Sequence, residues 1–253
     1  MQIALVGYGR MGREIEIAAR ERGHSVDIRV DPAAESADFP SVAAAVDAGA
    51  IDSSTAVIEF ALPEGLRENM ERYAQAGCAV VIGTTGWDDH REELLAQARA
   101  AGLAVVWGSN FSVGANMFAR ITEYAAALAA RAGGYDPALV ELHHRGKQDS
   151  PSGTALMLGE KVLASGGEKR SIQTEALHRR IEPEELHVAS VRVGSVAGTH
   201  TLYLDSPADT VELTHRARSR HGFAVGAVQA AEWITTTGGV HTVGEFFDHL
   251  FAG

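Results

Sequence analysis

The chain has 253 residues, 45% of them apolar and 22% charged, a balance that fits a folded globular protein of one large or two modest domains. Its formal net charge of −11 excludes a general phosphate-backbone binder, and no apolar run approaches the ~20 residues needed to span a bilayer. Met1 leads straight into a short apolar run without a basic flank or cleavage signature, so a cytoplasmic protein is expected, with no nucleic-acid or membrane partner.

Up to about residue 110, short β-rich runs alternate with helical patterns, as in a parallel sheet flanked by helices. Strands are expected at residues 3–6, 25–30, 56–60, 79–82 and 103–107. In the first helix Met11, Ile15, Ala18 and Ala19 share one face. The single cysteine, Cys78, has no thiol partner and reads as a small buried side chain ahead of the fourth strand. A long helix follows, with Met117, Ile121, Tyr124 and Leu128 at helical spacing and Gly133-Gly134 as its stop.

The segment from Ser165 through Gly166, Gly167, Glu168, Lys169 and Arg170 reads as an exposed loop. From about residue 187 to 216 the pattern changes to the alternation of half-exposed antiparallel strands. Val211, Leu213 and His215 share one face there, while Thr210, Glu212, Thr214 and Arg216 share the other. Ser206-Pro207-Ala208-Asp209 supplies a turn. Residues 223–234 are helical again, Gly238-Gly239 breaks the helix, and a short helix is expected near residues 245–250, where the chain returns to its first domain. The expected fold is α/β: a Rossmann-type doubly wound parallel sheet formed by residues 1–111 and 221–253, and a second α/β domain on an open mixed sheet, residues 112–220.

Gly7-Tyr8-Gly9-Arg10-Met11-Gly12 forms a Gly-x-Gly-x-x-Gly pattern between a predicted strand and a predicted helix. Gly7 permits the tight turn, Gly9 lets backbone approach a pyrophosphate, Gly12 allows close helix–strand packing, and the amides at the helix start face a negative group. Asp31 ends the second strand, 19 residues beyond Gly12, where a carboxylate accepts hydrogen bonds from ribose hydroxyls and repels a 2′-phosphate. NADH is therefore expected to be preferred over NADPH, with Arg10 the nearest residue that would tolerate the phosphate. The plainer reading is that Asp31 caps the next helix.

His143 and His144 are adjacent, so they line one pocket only where a strand ends. Gly146 and Lys147-Gln148-Asp149-Ser150 mark such an end. Histidine shuttles protons near neutrality, and Lys147 supplies positive charge and, if desolvated, a proton. After Pro151, the Ser152, Gly153 and Thr154 amides open a helix whose start suits a carboxylate. The cluster points to an anionic substrate. No third ligand stands at a familiar metal-site spacing, so no metal is expected. Taken singly, Ser152 and Thr154 would only cap a helix and the histidines would bond within the fold; together they favour a site.

Glu141-Leu-His-His-x-x-Lys-x-Asp-x-Pro-Ser-Gly-Thr-Ala155 resembles the signature of the 4-hydroxy-tetrahydrodipicolinate reductase family, also called dihydrodipicolinate reductase. Gly7 to Gly12, Gly83-Thr84-Thr85-Gly86, Ser109-Asn110-Phe111-Ser112-Val113-Gly114 and Thr214-His215-Arg216-Ala217-x-Ser219-Arg220 with Phe223-Ala224 resemble its other blocks, in order. The resemblance implies hydride transfer from NADH or NADPH to cyclic hydroxy-tetrahydrodipicolinate with loss of water, on the diaminopimelate and lysine pathway. It implies that His143 is the proton donor or acceptor, that Lys147 is the proton donor, and that His144, Ser152, Gly153 and Thr154 bind the small dicarboxylate substrate. It places Tyr8, Arg10 and Met11 with the glycines around the cofactor, and Phe60, Gly83, Thr84, Thr85, Gly108, Ser109, Asn110 and Phe111 toward the nicotinamide. A homotetramer built by the second domain is also implied, as is closure about hinges near residues 111–114 and 220–223.

Three departures stand out. The glycine turn is one residue shorter than in many members. Glu59-Phe60-Ala61 replaces the usual Asp-Phe-Thr, which would remove a polar contact near the nicotinamide, and Thr199-His200 replaces Glu-His. Two rivals remain: another two-domain NAD(P)-dependent dehydrogenase of a small anionic substrate, and a non-catalytic dinucleotide sensor. The first has no need of His-His-x-x-Lys beside Pro-Ser-Gly-Thr, and the second has no use for a proton donor.

Overall fold

In the computed structural model, which describes residues 1–252, the elements run β1 (Gln2–Val6), α1 (Arg10–Glu21), β2 (Ser25–Val30), α2 (Val42–Asp47), β3 (Thr55–Glu59), α3 (Leu66–Ala76), β4 (Ala79–Ile82), α4 (Arg91–Ala100) and β5 (Ala104–Trp107). They continue with α5 (Val113–Ala132), β6 (Asp136–His143), α6 (Gly153–Ala164), β7 (Ser171–Gln173), β8 (Glu185–Arg192), β9 (Thr199–Asp205), β10 (Thr210–Arg216), α7 (His221–Thr237), β11 (Val240–Thr242) and α8 (Val243–Phe251). The chain divides into two compact units, Met1–Val113 with the segment from Arg220 onward, and Gly114–Ser219.

The first unit holds a six-stranded parallel sheet in the order β11-β5-β4-β3-β1-β2. Its inner strands β1, β3, β4 and β5 are mostly apolar because both faces are covered, whereas the edge strand β2 alternates polar and apolar residues. Ile3 and Leu5 of β1 and Ile58 of β3 pack with Ile15, Ala18 and Ala19 of α1 and with α7 and α8. Ala4, Val6 and Val57 turn to α2, α3 and α4. Met11 is only partly buried beside that core. Cys78 is fully buried, and burial pushes its thiol up to about 12.

Most strand and helix ends shift by a residue or two from expectation, and two differences matter here. β3 ends at Glu59, so Phe60 opens the following loop. β11 was unexpected: its three residues between Gly239 and the α8 capping box of Thr242 and Glu245 carry no readable period, yet Val240 pairs in parallel with Val105.

Glu59, the last residue of β3, faces inward. It is fully buried and turned into the core, accepting hydrogen bonds from the Tyr73 hydroxyl at 2.7 Å and Asn69 Nδ2 at 2.8 Å. Burial pushes its carboxyl up to about 7 against the pull of those two donors.

The second unit is built on a five-stranded mixed sheet, β10-β9-β6-β8-β7. β9 is antiparallel to β10 and β6, as the alternation suggested, but β8, expected to be antiparallel too, runs parallel to β6 and β7 because these, and not the next strand, flank it. Leu139, Val188, Leu202 and Leu204 of the sheet pack against Phe118 and Ala126 of α5 and Leu158 and Val162 of α6. On β10, Leu213 touches this core and His215 stacks on Phe118 at 5.9 Å, so theirs is the inner face. Val211 remains exposed.

The apolar spacing on α5 marks a helix but not its core face. Met117, Ile121, Tyr124 and Leu128 form the outward stripe, 44–66% exposed, whereas Phe118, Ala119, Thr122, Ala126 and Ala129 face inward. Small side chains let the helix lie close on the sheet. The loop at residues 165–170 also needs correction at one position. Lys169 is only 5% exposed, paired with Asp136 at 2.5 Å and donating to the Glu185 carbonyl at 2.8 Å. Among the described residues no helix is long and apolar enough to cross a membrane.

Glu59 gives a pH prediction. A carboxyl with a higher pKa folded than unfolded holds its proton more tightly when folded, so its contribution is complete below about 4.5 and is lost as pH rises through about 7. Between about pH 5 and about pH 8 the wild type should lose on the order of 1–3 kcal/mol of unfolding free energy relative to Glu59→Gln. Denaturant melts of the two proteins across that interval check this, and parallel curves would remove Glu59 from the pH response.

Candidate active site

In the first unit the candidate residues gather where parallel strands end. The sheet order reverses between β1 and β3, the point at which loops diverge and α/β sheets accept ligands. Gly7, with φ of 86°, follows β1, and a Cβ there would lie 2.6 Å from the Phe60 carbonyl oxygen. A Cβ on Gly12 would lie 2.4 Å from the Gly7 oxygen, so both positions exclude a side chain. Gly9 differs. No described atom lies within 4 Å of a Cβ built there, so the backbone at the α1 start faces open space, as close approach by a pyrophosphate requires.

Tyr8 ties this turn to the sheet. Its amide donates to Asp31 Oδ2 at 2.8 Å and its hydroxyl to Glu16, which also holds Arg29 at 2.7 Å. The Arg29 and Arg13 guanidinium groups lie over the Tyr8 ring at 5.5 and 5.7 Å, and Arg29 draws Glu16 down to about 2. Arg10 is exposed and Met11 half-buried. Asp31 Oδ1 accepts from the amides of Ala33 and Ala34 at 2.8 and 3.0 Å. Burial raises its carboxyl, but these three amides outweigh burial and hold it below the usual range. Asp31 therefore anchors a turn at the edge of the site; no helix starts there, since α2 begins at Val42.

Phe60 meets Phe111 edge to face at 6.0 Å. A Cβ on Gly83 would strike the Phe60 ring at 2.2 Å, and one on Gly108 would strike Val243 at 2.2 Å. Thr84 Oγ1 donates to the Ala61 carbonyl at 3.1 Å, Asn110 Oδ1 accepts from the Ser112 amide at 2.9 Å, and Thr85 and Ser109 are exposed.

In the second unit β6 ends at His143, which releases His144 from strand alternation. His143 is buried and His144 half-buried; the His144 carbonyl accepts from the Lys147 amide at 3.1 Å around Gly146. Lys147 Nζ pairs with Asp149 at 2.7 Å. Ser152 caps α6, its Oγ accepting from the Ala155 amide at 3.2 Å and lying 3.2 Å from His200 Nε2. No other described side chain crowds Gly153, whose amide is met by the Asp149 carboxylate, and Thr154 follows in the first turn.

Four residues at this site were not singled out from the sequence: Glu141, Arg192, His200 and His215. Glu141 is 1% exposed and lies on the same face of β6 as His143. One of its oxygens is hydrogen-bonded to His143 Nδ1; the other takes Arg192 at 2.9 Å and the Ser152 amide at 3.2 Å. Arg192 also donates to the Asp149 carbonyl at 2.6 Å. His200 lies opposite Glu141 in register and His215 opposite His200, with ring centres 5.2 Å from His143 to His200 and 6.5 Å from His200 to His215. Thr199 points to the other face by alternation, so the departure at that position leaves this row intact.

Burial pushes His200 down to about 4. It also lowers His143, helped by Lys147 and Arg192 and opposed by Glu141. Burial raises the Glu141 carboxyl, but Ser190, Arg192 and His143 outweigh it and keep Glu141 ionised. The period of two in a strand is the signal that pairs Glu141 with His143. Arg192 and His200 arrive from other strands and leave no such trace.

Glu141, His143 and His200 bring ligand atoms within 4.8 Å of one another. A cation among them would have to take the place of the hydrogen bond between Glu141 and His143 and settle near the positive Lys147 and Arg192, which disfavours it.

Models of the dihydrodipicolinate reductase amino- and carboxy-terminal regions match residues 1–111 and 114–247. A 4-hydroxy-tetrahydrodipicolinate reductase from Christiangramia forsetii is 33% identical over 251 residues, 99% of either chain. One from Natronomonas pharaonis is 39% identical over 248 residues, covering 92% of this chain and 94% of its own. Among solved structures, dipicolinate-bound dihydrodipicolinate reductase from Paenisporosarcina sp. TG-14 shares the fold with a TM-score of 0.77 over 97% of this chain and 98% of that one, at 18% identity. Matched along both halves by family models and near full length by these relatives, the chain belongs to the dihydrodipicolinate reductase family.

Proposed function

We propose that this chain reduces 4-hydroxy-tetrahydrodipicolinate to tetrahydrodipicolinate with loss of water, using a pyridine nucleotide, in the diaminopimelate and lysine pathway. The observation that carries this reading is the segment 141–155, in which a buried imidazole, a lysine and a helix start converge at the end of β6, the last two already holding a carboxylate, that of Asp149. The substrate's two carboxylates find Lys147 and the α6 amides, and an incoming carboxylate takes the place of Asp149 on Lys147. Lys147 supplies the proton. His143, neutral with its Nδ1–H on Glu141, exchanges a proton at Nε2, while His144, Ser152, Gly153 and Thr154 hold the dicarboxylate.

Reduced nicotinamide supplies the hydride when bound. Residues 7–12 would cradle its pyrophosphate, Asp31 its ribose, and Phe60 with residues 83–85 and 108–111 the nicotinamide end. A carboxylate has about four acceptor positions, and Asp31 uses three, which leaves room for a ribose hydroxyl while its charge repels a 2′-phosphate. NADH is accordingly the preferred donor and NADPH the lesser one. The reading extends to a cytoplasmic homotetramer, supported by the outward apolar stripe of α5.

A coupled assay with dihydrodipicolinate synthase, following nicotinamide absorbance, tests the reaction. His143→Gln and Lys147→Ala should each lower kcat by ~10²–10⁴-fold with NADH affinity held within about twofold; unchanged turnover would exclude their roles. Gly9→Ala should melt like the wild type, because nothing described stands near the new methyl, yet weaken NADH binding by ~10-fold or more in calorimetry. An unaltered Kd would move the pyrophosphate away from Gly9. Catalytic efficiency should be at least ~10-fold higher with NADH than with NADPH, and a strong NADPH preference would overturn the role given to Asp31.

A further inference from the structure

The three groups around the Glu141 carboxylate come from separate parts of the second unit. His143 stands on the same strand, Arg192 at the end of β8, and Ser152 at the start of α6. A carboxylate only accepts hydrogen bonds, so the Nδ1 facing it carries the proton, and Nε2 is left as the atom that exchanges one. On its other side the ring needs room. A Cβ on Gly198 would come within 2.9 Å of His143 Nε2, so only glycine leaves the ring in place.

We propose that Glu141 is a positioning residue that fixes the tautomer and orientation of His143 and holds that imidazole in register with the carboxylate-binding start of α6. The proposal rests on the proton-transfer role given to His143 above. Glu141 acts on chemistry through His143 and touches no substrate itself. Its Oε1 bond to the Ser152 amide ties the anion cradle to the same carboxylate, so the proton-exchanging atom and the substrate's carboxylate share one reference point.

The charges facing His143 set the sign of the test. Glu141 on its own strand favours the imidazolium, whereas Lys147 from the loop and Arg192 from β8 oppose it; His200 from β9 meets the ring edge to face. Removing Glu141's charge should lower the titration of His143, and removing Arg192's should raise it.

The experiment is an NMR titration of the histidine Cε1–H signals in the full-length protein, with His143 assigned by its loss in His143→Gln, alongside steady-state kinetics. Glu141→Gln should move the His143 midpoint down by ~1 unit and lower kcat by ~10²-fold, with KM for NADH within about twofold. Arg192→Gln should move the midpoint up; because the two shifts are opposite in sign, a general loosening of the fold cannot mimic them. If Glu141→Gln leaves midpoint and kcat unchanged while His143→Gln is crippled, the positioning role is overturned and the proton-transfer reading stands. If His143→Gln itself turns over normally, the proton-transfer reading fails and takes this proposal with it. Should Glu141→Gln not fold, Glu141→Asp takes its place: a lowered kcat with KM for NADH within about twofold supports the proposal, and an unchanged kcat overturns it.

Discussion

A carboxylate with almost no contact with water must find its compensation inside the protein, and in the second unit that constraint falls on Glu141. Its two oxygens are met by an imidazole, a guanidinium and a backbone amide, each from a different stretch of chain. Burying an ion without such partners costs several kcal/mol, so the end of β6, the end of β8 and the start of α6 are held to one arrangement. Arg192 passes the constraint on to the Asp149 carbonyl and hence to the loop that carries Lys147. The chemistry-bearing loop is thereby anchored from a strand.

The first unit reaches a comparable definition by different means. Its ligand-facing edge is shaped by what cannot fit: Gly7, Gly12, Gly83 and Gly108 are places where a methyl group would enter backbone, an aromatic ring or Val243. Asp31 then stitches the turn after β1 to the turn after β2 through three amides. Rigid loops on a fully buried parallel sheet are suited to holding a dinucleotide without much ordering on arrival.

Much of this was legible in the chain. β4, buried on both faces, reads as a short apolar run and the edge strand β2 as an alternation, and both fall on the expected residues. The glycine pattern and the 141–155 segment declare themselves because turn geometry and helix starts depend on local sequence. What escaped was set by neighbours remote in sequence. The α5 period of Met117, Ile121, Tyr124 and Leu128 gave the helix but not which side the sheet would take. Lys169 looked like a solvated charge until Asp136, from β6, covered it. Arg192 and His200 meet Glu141 and His143 only through strand pairing, and the partners of Glu59, Tyr73 and Asn69, lie on the next helix.

The first unit is also discontinuous along the chain. Its core contains Ala227, Val228, Ala231, Phe246 and Phe247, and β11 completes its sheet against β5. During synthesis, then, residues 1–113 emerge with one side of their sheet covered by α1 alone, and stay so until the ribosome has added more than a hundred further residues. The intervening unit is one uninterrupted stretch and has every strand and helix it needs before that wait is over. Birth order and folding order are thus reversed in this protein: the half made first is the half that must finish last.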